Sequence, residues 1–457
     1  MIFTVKQERI AGARGWLIIP VEIQVRELLG RLLVGAVAAE RGYKVLIGHD
    51  RVIRRLAAHL PRGILFDKSL GGPGDRRVSR YARLGYTITA IDEESTGFSA
   101  NPELYLSTRL ARDTLDVATR WFCISDRLRS EAEKLYPGYA DRFATTGLPR
   151  TDTWRAQFHA LFEPERQRIT SDNGRFLLFC SNFGTIIHTR KGAFVDNQYR
   201  KQQKAHSGAG QYQERLREQG QQNLDAFIEV LPKIADWFPD HKVVIRPHPS
   251  EDIGFWREVA ARHRRLEVHD RGLATPWILA SDCLIHHGCT TGIEAELTGS
   301  PHIMYAPFRD DHHDTDIMRA FAPIVHDEMS LHKSLQDIVK GDRSRAKPRK
   351  TLEQYYASLD GPLVASHIMD EIDGIDMPAA RPLPGYLAIL RYSPRHLTAQ
   401  YLPRSARAST YARQKWRGTT LSEIATALKI IEQGAALARP VAAQEVFPQL
   451  FKLETTA

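Results

Sequence analysis

The residue types best suited to chemistry stand where apolar runs end. Arg246-Pro247-His248-Pro249 closes the run KVVI. Two prolines fix the backbone there and stop the strand from continuing, so His248 is held at the strand's carboxyl end with Arg246 as a fixed cation beside it. An imidazole and a guanidinium so placed suit a phosphate, to whose departing oxygen the imidazole can donate a hydrogen bond or a proton. The plainer reading is a structural histidine in a proline-rich turn. A second group is His286-His287-Gly288-Cys289-Thr290-Thr291-Gly292-Ile293-Glu294. A strand ending in a glycine turn with a helix beginning at the threonines presents free N–H groups and a helix dipole to an anion. His287, Gly288, Thr290 and Thr291 then become phosphate ligands, and Glu294 an acceptor for ribose hydroxyls. Against this stands a capping role for Thr290 and Glu294. Together the two groups point to a nucleotide mono- or diphosphate.

The run TITAID ends in Asp92-Glu93-Glu94. Three consecutive acids at a strand's carboxyl end can serve as base, acid or nucleophile, or simply favour a helix start. Asn182 and Gly184 follow another apolar run and can donate to a substrate. Glu22, Arg26 and Glu27 follow the first run and are candidates for the acceptor side; otherwise they are the solvated face of a helix. The stretch Asp310-Asp311-His312-His313-Asp314-Thr315-Asp316 has metal-ligand types, but contiguous loop residues rarely converge on one ion, so it reads as a solvated loop and no metal is assigned. HExxH, GxxxxGK[ST] and GxSxG are absent.

These residues need a scaffold. GWLIIP (15–20), KVLIGH (44–49), GILFDK (63–68), TITAID (87–92), WFCIS (121–125) and FATTG (143–147) read as strands. Between the first two, Leu28, Leu29, Leu32, Leu33 and Val37 form one stripe at helical spacing, which makes a βαβ unit. The pattern restarts with the strands FLLFCSN (176–182), KVVIRPHP (242–249), DCLIHHG (282–288) and PHIMYAP (301–307), and with a helix over about 222–238. A polar stretch, 185–221, reads as a long loop. The chain is therefore expected to be α/β, with domains at 1–155 and 170–345 and a basic helical extension at 346–457. Two consecutive parallel-sheet domains imply a cleft, with ligands beyond the carboxyl ends of the strands.

Composition fits this picture. The 457 residues are 42% hydrophobic and 26% charged, which excludes collagen, coiled-coil, disulfide-scaffold and largely disordered classes. No apolar stretch approaches a membrane span, the N-terminus lacks a signal-peptide core, and the four cysteines, mostly within apolar runs, read as reduced and buried. A cytoplasmic protein is expected. The net charge of +9 suggests an anionic partner. Residues 381–419 carry eight Arg and Lys and no acid, a solvated stretch or a patch for the anionic inner face of a membrane. No nucleic-acid module is present, so nucleic acid is not a partner.

In their order, LIIPVEIQVREL, AIDEES, TTGLPRTDTWR, LFCSNFGT, VIRPHPSED and HHGCTTGIEAELTGSPHIMYAP resemble the bacterial surface carbohydrate (surface polysaccharide) biosynthesis proteins, glycosyltransferases of GT-B architecture, over about residues 15–310, with a weaker echo at RGTTLSEI (417–424). The resemblance implies two Rossmann-like, doubly wound domains facing across a cleft. It further implies a nucleotide-activated sugar as donor substrate, no separate cofactor, and a glycan or lipid-linked acceptor. The family is similar to sialyl- and Kdo transferases, which use CMP-linked sugars. By that likeness His248 assists CMP departure, Thr290 and Thr291 bind phosphate, and Asp92, Glu93 or Glu94 serves the acceptor or the anomeric carbon. The glycine usual after the acidic triplet is Ser95 here. The expected activity is thus a metal-independent glycosyltransferase favouring a CMP-linked acidic sugar. The alternatives are a CDP-glycerol or CDP-ribitol polyol-phosphate transferase, a nucleotide-sugar 2-epimerase, and a non-catalytic scaffold of glycan assembly.

Overall fold

Apolar runs rich in β-branched residues build the centre of two parallel sheets. The computed structural model describes residues 14–94, 102–188, 209–309, 317, 321–341, 351–379, 381–385 and 415–456. The chain divides into two compact units, one of Met1–Ser95, Glu103–Thr153 and Tyr356–Ala457, the other of Thr96–Pro102 and Trp154–Tyr355. Ser95, the 310–316 stretch and most of 381–419 lie outside the described residues.

In the first unit β1 (Gly15–Val21), β2 (Tyr43–His49), β3 (Ile64–Asp67), β4 (Thr87–Ile91), β5 (Ala118–Cys123) and β6 (Phe143–Thr145) are parallel, in the order β2-β1-β3-β4-β5-β6. Helices cross between them, as parallel pairing requires, which makes the unit Rossmann-like. The register pairs Val21 with His49 and Asp67 with Ala90. Glu22, Asp50, Lys68 and Asp92 therefore all emerge at one edge of the sheet.

The second unit is a six-stranded parallel sheet of the same kind. Its strands are β7 (Phe176–Cys180), β8 (Lys242–Arg246), β9 (Leu266–Val268), β10 (Cys283–His286), β11 (His302–Tyr305) and β12 (Ile324–Val325), ordered β12-β11-β10-β7-β8-β9. All five residues of β7 are buried, as a strand covered on both faces must be. Cys180 pairs with Arg246 on one side and with His286 on the other. Ser181, Pro247 and His287 thus leave the sheet at one level. The expected loop at 185–221 is partly helical: a helix runs Ala209–Trp237.

The C-terminal residues are not a separate helical extension. They join the first unit and add the antiparallel hairpin β13 (Val441–Phe447) and β14 (Leu450–Thr455), with β14 antiparallel on β2. Burial and polar contacts draw them in. Asp152 accepts the N–H groups of Val364 and Ala365 at the start of the helix Val364–Asp373 (3.1 and 3.0 Å), and Tyr43 donates to Asp373 at 2.8 Å. The hairpin covers the β2 edge, which would otherwise offer unpaired backbone groups. All four cysteines are free and buried. No helix among the described residues is long and apolar enough to cross a membrane.

The hairpin docks against a glycine. A Cβ on Gly48 would stand 2.3 Å from the Gln449 carbonyl oxygen and 2.9 Å from the Leu450 Cα. Gly48→Ala should cost about 1–3 kcal/mol of stability by overpacking, whereas Gly138→Ala, with nothing within 4 Å, should leave it unchanged. Urea unfolding of the two variants checks this, and equal midpoints would contradict the docking.

Candidate functional site

In the second unit the turns after β7 and β8 are tied together by Glu251, a residue buried without exposed surface. Its carboxylate accepts from the Ser181 hydroxyl, the Phe183 N–H, the His248 N–H (3.3 Å) and the Trp256 Nε1–H (2.7 Å). Burial pushes this carboxyl above its ordinary range, and the four donors pull it back. Phe183 in turn stacks on His287, ring centroids 5.3 Å apart and planes 11° from parallel.

His248 is exposed, and its ring is oriented. Nδ1 lies 2.8 Å from the Ser250 hydroxyl and accepts the Ser250 backbone N–H at 3.2 Å. A backbone N–H can only donate, so Nδ1 carries no proton in this geometry and Nε2 is the N–H. Gly184 approaches the same turn closely: a Cβ there would stand 2.2 Å from the Ser250 hydroxyl oxygen and 3.8 Å from His248 Nδ1. Asn182 is exposed between these groups in sequence.

Beyond β10, Gly288 adopts φ +58°, and the helix Thr290–Thr298 starts with Cys289 as N-cap and no side-chain cap. Its first-turn donors are therefore not answered by the side chain that usually caps a helix. Thr290 is the first helical residue and not the cap. The Thr291 hydroxyl is turned back to Cys289 Sγ at 2.7 Å, and the backbone N–H groups of Thr291 and Gly292 face the same sulfur.

Two expected ligands are otherwise engaged. The Arg246 guanidinium donates to the carbonyls of His269, Arg271 and Gly272 (3.4, 2.9 and 3.0 Å) and lies 5.1 Å over the Trp277 ring. Arg246 fixes the loop after β9 and is not the free cation expected beside His248. Glu294 is buried and accepts from the Thr275 hydroxyl, so it belongs neither to a cap nor to an open hydroxyl-binding edge.

The first unit gathers a second cluster. Glu27 and Arg31 are buried, and so are Asp92 and Glu93. The helix Gln24–Glu40 therefore carries charge on its inner face at Glu27 and Arg31, so the alternative reading of Glu22, Arg26 and Glu27 as a solvated face does not hold for Glu27. Arg31 Nη2 stands 3.3 Å from Glu93 Oε1, while its Nη1 donates to the carbonyls of Pro20 and Phe66 (3.2 and 2.9 Å). Glu27 accepts the Glu22 N–H at 2.8 Å. Burial pushes the carboxyls of Glu27 and Asp92 up; Glu93 adds to this at Glu27, where Arg31 and Arg26 oppose, and Arg109 opposes at Asp92. One oxygen each of Glu27, Asp92 and Glu93 has no hydrogen-bond partner. Glu94 differs: it is exposed, accepts from Arg26 and Arg109, and these cations outweigh burial to bring it down to about 2. A carboxylate held so firmly ionised is a poor proton carrier, which leaves Asp92 and Glu93 as the acid–base candidates of the triplet.

Glu251, Ser250, Arg31 and Arg109 escaped sequence reasoning. A signal existed for Arg31: a charge inside the stripe LLGRLLV must be buried and paired. Among the described residues no group of three potential metal ligands lies together.

No known family profile and no curated protein matches the chain. Solved structures do resemble it. The UDP-GlcNAc 2-epimerase of Methanocaldococcus jannaschii is 12% identical, spans 78% of this chain and 99% of its own, and has a TM-score of 0.48. The Neisseria meningitidis UDP-GlcNAc 2-epimerase bound to UDP-GlcNAc is 12% identical over 78% and 99%, with a TM-score of 0.45. Anabaena HepE in complex with UDP and glucose is 9% identical over 79% and 99%, with a TM-score of 0.43.

Two predictions follow from these bonds. Glu251→Gln keeps the shape but turns an amide N–H₂ toward donors, and should cost about 2 kcal/mol in urea unfolding; an unchanged midpoint would contradict the hub. At Glu22, burial raises the carboxyl, but Lys68 and Lys415 hold it down to about 2. A depressed carboxyl stabilises the fold above its unfolded value near 4.5 and loses that stability as pH falls toward 2. Glu22→Gln should thus be less stable than wild type at pH 7, with the gap closing between pH 4.5 and 2. A gap independent of pH would show that the pairing contributes nothing.

Proposed function

We propose that this chain is an enzyme acting on a nucleotide-activated sugar, with the nucleotide's phosphates held at the ends of β7, β8 and β10 in the second unit. The observation that carries the reading is the orientation of His248. A ring whose Nδ1 is taken up by Ser250 presents Nε2–H, which can donate to a phosphate oxygen and pass on its proton as the phosphate leaves. The helix start at Thr290, together with Asn182, can supply further donors to the same anion. The nucleotide sugar is the substrate, and the reading assigns no cofactor.

The finer reading has two forms. Buried carboxyls whose proton affinity is raised, Asp92 and Glu27, suit the movement of a proton at a sugar carbon, as a 2-epimerase requires. They equally suit removing the proton of an acceptor hydroxyl, as a glycosyltransferase of surface polysaccharide biosynthesis requires. CMP-, CDP- and UDP-linked donors all satisfy the phosphate chemistry.

A thermal-shift panel of CMP, CDP-glycerol, UDP, UDP-glucose and UDP-GlcNAc tests the shared core. At least one compound should raise the melting temperature, since a ligand at 100 times its Kd adds about 2.7 kcal/mol to the native state. His248→Ala should weaken that ligand about tenfold. Turnover of the bound donor without any acceptor selects the 2-epimerase, and turnover only with an acceptor the transferase. Failure of every nucleotide to bind would overturn the reading in favour of a scaffold.

A further inference from the structure

A cavity of about 160 Å³ opens in the first unit where β1, β2 and β3 end. Glu22, His49, Arg51, Arg54, Lys68 and Lys415 line it. One water needs about 10–15 Å³ measured the same way, so the cavity can hold a phosphoryl group with part of what it esterifies. The lining is strongly cationic, with five Lys and Arg against Glu22 and Asp50. Arg77 is answered by the buried Asp67, and Lys68 and Lys415 both reach the carboxylate of Glu22. Arg54 meets Asp50 at 3.6 Å, and Arg51 has no ion-pair partner among the described residues.

Placing this much like charge around one cavity is unfavourable unless an anion is meant to fill it. The chain goes to some length to assemble it. Lys415 comes from almost 400 residues away in sequence, on a strap fixed by the Gln24 amide, which donates to the Gly418 carbonyl at 2.9 Å and accepts the Arg417 N–H at 3.0 Å. On the same strap Trp416 stacks on His49, centroids 4.8 Å apart, and donates to Gln449 at 2.7 Å. Burial and then Arg51 push the His49 imidazole down to about 4, so at neutral pH the ring adds no charge, and the cations alone set the sign of the cavity. Glu22 also links the cavity to the carboxylate cluster, because its backbone N–H is bound by Glu27.

We propose that this cavity binds the phosphate of a second, phosphate-bearing substrate through Arg51, Arg54, Lys68 and Lys415. The inference rests on the reading above only in calling that molecule a second substrate.

The test is calorimetric titration of the full chain with inorganic pyrophosphate, carried out on the His248→Ala background so that the second unit contributes more weakly and the loss caused by substitutions in the first unit is read against it. That variant should still bind pyrophosphate, and adding Arg51→Ala should weaken binding about tenfold. Arg51 has no ion-pair partner among the described residues to leave orphaned, so this substitution should not unfold the unit; Lys415→Met, which gives up its pair with Glu22 and is checked for a cooperative urea transition, gives a second reading with the same expected loss. Failure of the His248→Ala chain to bind pyrophosphate, indifference to both substitutions, or acetate binding as tightly as pyrophosphate would each overturn the phosphate assignment. Nucleotide binding by the wild type is measured separately, so the loss of one proposal leaves the other standing.

Discussion

A carboxylate buried without water must find its stabilisation in hydrogen bonds, and Glu251 takes four of them. Its desolvation is worth several kcal/mol, and the donors that offset it come from three places in the chain: the turn after β7, the turn after β8 and the helix Ile253–Ala260. None of them can move without leaving the charge exposed to a low-dielectric interior. The consequence reaches the chemistry in two steps. Holding the His248 N–H and the Phe183 N–H fixes the backbone of both turns, and the fixed turn lets Ser250 set the tautomer of the His248 ring. Phe183 then carries the constraint sideways to His287 through a stacked contact.

The carboxylates of the first unit follow the opposite logic. Glu251 is saturated with donors, whereas Asp92, Glu93 and Glu27 each keep a buried oxygen with no hydrogen bond. Unsatisfied buried acceptors cost about 1–3 kcal/mol each, and a structural role would favour closing them. Arg26 and Arg109, which stand 3.5 Å from Glu27 Oε1 and 3.6 Å from Asp92 Oδ2, give their hydrogen bonds to Glu94 instead. The difference is between a carboxylate closed by hydrogen bonds and carboxyls held by longer ion pairs to Arg26, Arg109 and Arg31, the kind of environment in which acid–base groups are commonly found.

Much of this was legible in the sequence, and the reasons for the rest are physical. Strands of both sheets could be read because apolar runs such as FLLFC are buried on both faces and end at proline, glycine or charge. His248 and the acidic triplet could be read because they follow such runs directly. Glu251 could not: it lies three residues past His248 in a turn, and only the folded chain brings Ser181 and Phe183 to it. Arg246 misled because sequence proximity to His248 says nothing of where a long side chain goes, and in the fold it points along β8 to the carbonyls beyond β9. The hairpin of β13 and β14 was missed because VAAQEVF and LFKLET alternate weakly and gain their strand character by pairing with β2, far away in sequence. The pocket cation Lys415 was hidden for the same reason, in a basic segment that read as solvated.

The central claim is that the second unit presents a neutral His248 ring with its proton on Nε2 to a nucleotide phosphate. Long-range ¹H–¹⁵N correlation NMR of the histidine rings, with His248→Gln for assignment, measures this directly. The account predicts an Nδ1 signal typical of an unprotonated ring nitrogen in the free protein, and a change at Nε2 when the best-binding nucleotide is added. A ring protonated on Nδ1, or an Nε2 signal indifferent to bound nucleotide, would contradict it.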